Sequence, residues 1–162
     1  MGVGRKLRIY LDTTIPNYLF ADDRPDRMAY TWRLWERCVA GEFEVFVSDV
    51  LFDELDKCPQ PKQGRMYGQL GRIGARGLEE TAEVKELASA YVRSGVLRER
   101  DLGDCRHFAH AVVHECDIIL SWNFNHIVND TTRDRIKVVN AVSRYKEIKI
   151  VSPEEFLKGG RR

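Results

Sequence analysis

The chain has 162 residues, 43% of them hydrophobic, which is the size of one ordinary domain with one sizeable core. Its 26 basic and 25 acidic residues nearly cancel to a formal +1, which excludes a global field that would advertise a nucleic-acid or membrane partner, so local charge must carry any such argument. Cys38, Cys58, Cys105 and Cys116 make no C-x-x-C pair and no dense disulfide framework; no stretch approaches the roughly 20 apolar residues of a membrane span, and the basic start lacks a signal peptide's long apolar segment, so a reduced, cytoplasmic protein is expected.

Leu7-Arg-Ile-Tyr-Leu11 is short and rich in β-formers; Asp12-Thr-Thr follows it, and Ile15-Pro16 opens a helix, because proline is tolerated in a first turn. Trp32, Trp35 and Val39 recur at helical spacing before Gly41, a C-cap glycine. Phe43 to Val47 is a second β-rich run, and the N-cap types Ser48 and Asp49 introduce the helical pattern Val50-Leu-Phe-Asp-Glu-Leu. From Pro59 to Gly77, two prolines and five glycines lie among Lys62, Arg65, Arg72 and Arg76, which predicts a mobile loop followed by a weak basic helix. Glu79 to Ser94 has Val84, Leu87, Ala88 and Tyr91 on one helical face and ends at Gly95. Asp104 to Cys116 is the clearest helix, with Cys105, Phe108, Ala109, Val112 and Cys116 along one stripe. Three β-rich runs follow, Asp117 to Leu120, Ile136 to Val139 and Ile148 to Val151, and Ser152-Pro then starts a helix. Short, wholly apolar β runs alternating with helices predict a three-layer α/β/α domain with a central, mainly parallel sheet.

In such sheets ligands bind beyond the carboxyl ends of the strands. Asp12 directly follows the first strand, Glu54 lies about one turn into the helix after the second, Asp104 stands in the first turn of the clearest helix, and Asn123 follows the strand ending at Leu120. Each also has an ordinary reading: Asp12 as a cap or turn residue, Glu54 as a solvated side chain, Asp104 as a carboxylate favoured by the helix dipole. Their joint placement is what points to chemistry. Three close carboxylates stay ionised only if a cation neutralises them, hard oxygen ligands select Mg²⁺ or Mn²⁺, and such an ion suits phosphodiester hydrolysis. Asp117 cannot supply a fourth charge, because it begins the strand that Asn123 follows, and a strand's rise puts the two more than about 10 Å apart.

"IYLDTTIPNYLF", "VSDVLFDEL" and "LGDCRHFAHAVVHECDIILSWNFNHI" resemble the four acidic motifs of PIN domains, in order and at normal spacing from about Leu7 to Leu157, and are most similar to the VapC-like toxin branch. That resemblance implies a PIN-like fold, divalent-metal-dependent ribonuclease activity on RNA, neutralisation by a small antitoxin protein, and homodimerisation. It places Asp12, Glu54 and Asp104 at the first three acidic positions. Ser121-Trp122-Asn123 stands where the family commonly has Thr-x-Asp, so Asn123 is expected to offer a neutral oxygen or to position a metal-bound water, with weaker metal binding. The alternative is a catalytically weak PIN-like module that binds RNA or protein.

Other features compete. His107, His110 and His114 lie close together on the helix, a spacing that invites zinc, but opposite the apolar stripe, so solvated imidazoles are expected. Trp32 and Trp35 with Tyr30 suit base stacking or an antitoxin groove, although their spacing favours core or dimer packing. The Lys62 to Arg76 stretch suits an RNA backbone or a solvated helix face.

Overall fold

The computed structural model describes residues 4–159. In chain order the elements are β1 (Leu7–Leu11), α1 (Thr14–Tyr18), α2 (Pro25–Val39), β2 (Phe43–Ser48), α3 (Asp49–Asp56), α4 (Lys62–Leu70), β3 (Arg76–Leu78), α5 (Ala82–Arg93), α6 (Leu102–Val113), β4 (Ile118–Leu120), α7 (Asp130–Val142), β5 (Lys149–Val151) and α8 (Pro153–Lys158), with a 3-10 turn at Glu99–Asp101 before α6. The sheet is fully parallel, in the order β3-β2-β1-β4-β5.

The strands are apolar on both faces because both faces are covered. Ile9, Leu11, Val45, Val47, Ile118, Leu120 and Val151 pack on one side with Leu34, Trp35, Leu51, Leu55 and Met66. Tyr10, Phe46, Ile119 and Ile150 point to the other side, against Val84, Tyr91, Phe108, Val112 and Ile136. Each such side chain, fully buried, contributes about 1.5–3 kcal/mol through removal of apolar surface from water. Trp35 and the half-buried Trp32 belong to the first layer, and Trp32 Nε1 donates to the Leu19 carbonyl at 2.9 Å. Core packing is therefore what their helical spacing reports.

Local chemistry explains the helix starts. Ser48 Oγ accepts from Val50 N, Thr81 Oγ1 from Val84 N and Asn129 Oδ1 from Thr132 N, and Ser152 with Glu155 completes a capping box below Pro153. Register then sets the strand ends level: Leu11 pairs with Leu120, and Leu120 with Val151. Consequently Asp12, Asp49 and Ser121 leave the sheet along one edge, where β1 has β2 on one side and β4 on the other. Asp117 lies at the opposite end of β4, where it receives Arg8 N, as the strand rise requires.

Two expectations are corrected. Ile136 to Val139 is helical, within α7: Thr132, Ile136, Val139 and Asn140 are buried while Val138 and Val142 are exposed, a helical period that a β-branched run conceals. In the stretch from Pro59 to Gly77 the helix comes first, at Lys62–Leu70 with Met66 and Leu70 buried, and the segment ends as the edge strand β3 against β2. Arg76 and Gly77 are exposed, so that strand carries no apolar signal.

Candidate active site

Asp12 sits immediately past β1, and its backbone N extends the parallel pairing to the Leu120 carbonyl at 3.3 Å. Its side chain is buried at 2% exposure. Oδ1 accepts from Thr14 N at 3.0 Å and from Thr14 Oγ1 at 2.5 Å, and Oδ2 accepts from Ser121 Oγ at 2.5 Å. Burial pushes this carboxyl above its ordinary value; His107 and the two hydroxyls oppose that shift, and the negative charge of Asp104 adds to it.

Glu54 projects from α3 toward the start of α6. Oε1 accepts from the Thr13 hydroxyl and from His107 Nε2 at 3.1 Å. Burial pushes this group up, but His107 and Thr13 outweigh it and hold the carboxyl below its usual range. Gly103, in the first turn of α6, lies beside Glu54 Oε2, which a Cβ there would meet at the ordinary contact distance of 3.6 Å. Asp104, in the first turn of α6, is pushed up by burial, opposed by His126 and His107, with Glu54 adding to the rise. Its Oδ2 lies 3.0 Å from His126 Nδ1.

His107 is the centre of this arrangement. It is 1% exposed, with Nδ1 2.7 Å from the Tyr10 hydroxyl, and that hydroxyl is 2.7 Å from Ser48 Oγ. It lies close enough to Asp12, Glu54 and Asp104 to favour the ionised form of all three. Acids placed just past β1, on α3 and on α6 thus lie near one buried imidazole at the switch point of the sheet, Glu54 in direct contact with it.

No protein family model and no curated protein matches the chain. Solved structures do. One is the crystal structure of VapBC2 from Rickettsia felis bound to a DNA fragment from their promoter, which matches with a TM-score of 0.56 at 14% identity over 89% of this chain and 97% of that one. Another is VapC20 of Mycobacterium tuberculosis, a toxin that cleaves the sarcin–ricin loop, with a TM-score of 0.56 at 16% identity over 86% of this chain and 98% of that one. The fold is PIN-like.

Asn123 lies in the turn that follows β4. Its Oδ1 accepts from His126 N at 2.9 Å, and its carbonyl accepts from Ile127 N and Val128 N, so the side chain closes the turn that leaves β4. The residue that reaches the acids from this turn is His126. Among the described residues, the one set of three acid, histidine or cysteine side chains whose ligand atoms all lie within 4.8 Å of one another is Asp101, Asp104 and His126; the set Asp12, Glu54 and Asp104 is more open. Asp101 and His126 were not among the sequence candidates, and His107 was expected there as a solvated imidazole, although Asp101 and His107 lie three residues either side of Asp104.

The donors suit a hard divalent cation. They are carboxylate oxygens, and neither Glu54 Oε2 nor Asp104 Oδ1 is spent on a hydrogen bond among the described residues. Asp12 and Asp104 are each raised by burial and by a neighbouring carboxylate, Asp104 for the first and Glu54 for the second, a penalty that a bound cation would offset.

The zinc spacing on α6 is not assembled. His107 and His110 are buried rather than solvated, because α6 is covered by α3, α5 and the sheet, and their Nε2 atoms diverge to Glu54 and, at 3.0 Å, to Asp49 Oδ1. His114 instead bonds the His110 carbonyl at 3.0 Å. No helix among the described residues is long and apolar enough to cross a membrane.

Proposed function

We propose that this chain is a divalent-metal-dependent endoribonuclease that hydrolyses RNA phosphodiester bonds as the toxin of a type II toxin–antitoxin pair. The observation that carries this reading is the gathering of Asp12, Glu54 and Asp104 around His107 at the carboxyl edge of a PIN-like sheet. Asp12, Glu54 and Asp104 would hold Mg²⁺ or Mn²⁺. When bound, that ion supplies activation of a water and stabilisation of charge on the leaving oxygen. The chain's own part is orientation: Thr14 and Ser121 fix the Asp12 carboxylate, Thr13 and His107 fix Glu54, and His126 fixes Asp104.

On this reading the partners are RNA, a small antitoxin and a second copy of the chain, and the place of action is the cytoplasm. Mn²⁺-dependent cleavage of RNA by the purified protein, lost in Asp12→Asn, is the expected result; undiminished cleavage by the pure variant overturns the assignment. One observation favours the second reading, a catalytically weak binding module: the neutral Asn123 is committed to a turn and adds no charge to the centre. Metal-independent RNA binding without cleavage under any divalent ion would select that reading.

A further inference from the structure

Beside the carboxylates lies a cleft of about 310 Å³ whose wall includes Thr14, Tyr18, Arg27, Trp122, Asn123 and Phe124. Thr14 joins the cleft to the candidate centre, since its hydroxyl donates to Asp12 and accepts from Trp122 N at 2.8 Å. Three features here are unexplained by folding. Phe124 is 39% exposed, among the few large apolar side chains left in solvent. Arg27 has no carboxylate partner among the described residues; its guanidinium stands 4.9 Å from the Phe124 ring centroid and 5.4 Å from that of Trp122, and it donates to the Tyr18 hydroxyl at 3.2 Å. The Asn123 amide nitrogen, unlike its oxygen, makes no hydrogen bond among the described residues.

We propose that Arg27, Phe124 and Asn123 form a subsite that takes one unpaired base of single-stranded RNA next to the carboxylate centre. The inference rests on the ribonuclease reading and adds to it the position of a base. A base has two π-faces and a polar edge. Arg27 already lies over the Phe124 ring, so the exposed side of this stacked pair takes one π-face of the base, and a side-chain amide reads the polar edge. The uncompensated Arg27 charge also favours an approaching polyanion. The cleft is at the small end for ligand sites, which suits one base rather than a folded partner. The Tyr18 and Trp122 rings brace Arg27 from below, so the stacking surface is preformed.

The test uses the full chain in EDTA, which leaves RNA intact, titrated with a short single-stranded oligoribonucleotide carrying 2-aminopurine. Stacking is expected to quench the probe saturably, and Phe124→Ala to abolish the quench and weaken binding about tenfold or more, the usual scale for one lost base–aromatic stack. Arg27→Lys keeps the charge but not the plane, and should weaken the quench while preserving the salt dependence of binding. Phe124→Ala with wild-type quenching and affinity overturns the subsite. Mn²⁺-dependent cleavage by the wild type with no quenching also overturns it and leaves the ribonuclease reading standing, whereas neither binding nor cleavage sinks both. Unchanged oligoribonucleotide binding in Phe124→Ala, together with loss of a dimer in sedimentation, assigns the patch to contact between copies and overturns the proposal.

Discussion

His107 Nε2 lies 3.1 Å from Glu54 Oε1 while its other ring nitrogen lies 2.7 Å from the Tyr10 hydroxyl, so one buried imidazole ties a candidate ligand to the floor of the sheet. One tautomer satisfies the whole chain of contacts: Ser48 donates to Tyr10, Tyr10 donates to Nδ1, and Nε2–H donates to Glu54. His107 is thereby a positioning residue, acting on the centre through Glu54. His107→Ala should lose about 1–3 kcal/mol of stability, because the Tyr10 hydroxyl is left buried without its acceptor. It should also weaken Mn²⁺ binding, whereas His107→Gln, whose amide can still donate to Glu54, should recover part of that affinity. Calorimetric Mn²⁺ titration of the three proteins checks this; equal affinities would remove the positioning role and leave a packing one.

Asp12 tests the cation itself. Its carboxyl is raised above the ordinary value by burial, so in the folded chain the ionised form is disfavoured, and the penalty is carried at every pH above the folded value. A divalent ion should offset it. Mn²⁺ at a hundred times its dissociation constant should therefore raise wild-type stability by about 2.7 kcal/mol. Asp12→Asn should unfold no earlier than wild type without metal and should gain much less from Mn²⁺. Thermal melts in EDTA and in Mn²⁺ decide it, and an equal Mn²⁺-induced shift in both proteins would place the ion elsewhere.

The edge where these residues meet was legible in the sequence because each strand ends where its apolar run ends, so Asp12, Glu54 and Asp104 could be placed by counting from Leu11, Val47 and the stripe of α6. What lay outside that count depends on tertiary cover. Nothing local distinguishes His107 as buried, since its place on α6 faces polar neighbours in the linear pattern yet meets Tyr10 and Glu54 in space. The edge strand β3 was illegible for a related reason: two of its three residues are solvent-exposed, and only Leu78 adds an apolar side chain to the core as it pairs with β2. Ile136 to Val139 misled in the other direction, because β-branched residues in α7 carry strand propensity that the Asn129 cap and the packed face of the helix override.

The turn after β4 separates two residues that sequence alone cannot rank. Because Asn123 Oδ1 already serves His126 N, and an aspartate oxygen can accept the same bond, Asn123→Asp should fold normally and change Mn²⁺ affinity little. His126→Ala frees the Asp104 carboxylate from its 3.0 Å partner and should change that affinity more. Metal titration of the two variants side by side is the measurement. A large gain in Asn123→Asp with no effect of His126→Ala would return the fourth position to residue 123.

At the far end of β4, Asp117 predicts an acid limb to stability. Arg5 donates to both of its oxygens, at 3.0 and 2.9 Å, and holds the carboxyl well below the usual range; burial opposes this, while Arg8 N and Lys146 add to the lowering. A folded value below the unfolded one contributes stability that is present above the ordinary carboxylate pKa and is lost as pH falls toward the folded value. Arg5 is 61% exposed, so solvent screening keeps its ion pair weak, and most of the loss in Asp117→Asn comes from the weakened acceptor for Arg8 N. Urea unfolding should show the variant less stable by about 1 kcal/mol at pH 7, the scale of a weakened, partly buried hydrogen bond, with the gap shrinking at pH 3 and narrowing in 1 M salt. A gap that is the same at both pH values would mean that packing at the start of β4, and not the charge of Asp117, holds that end of the sheet together.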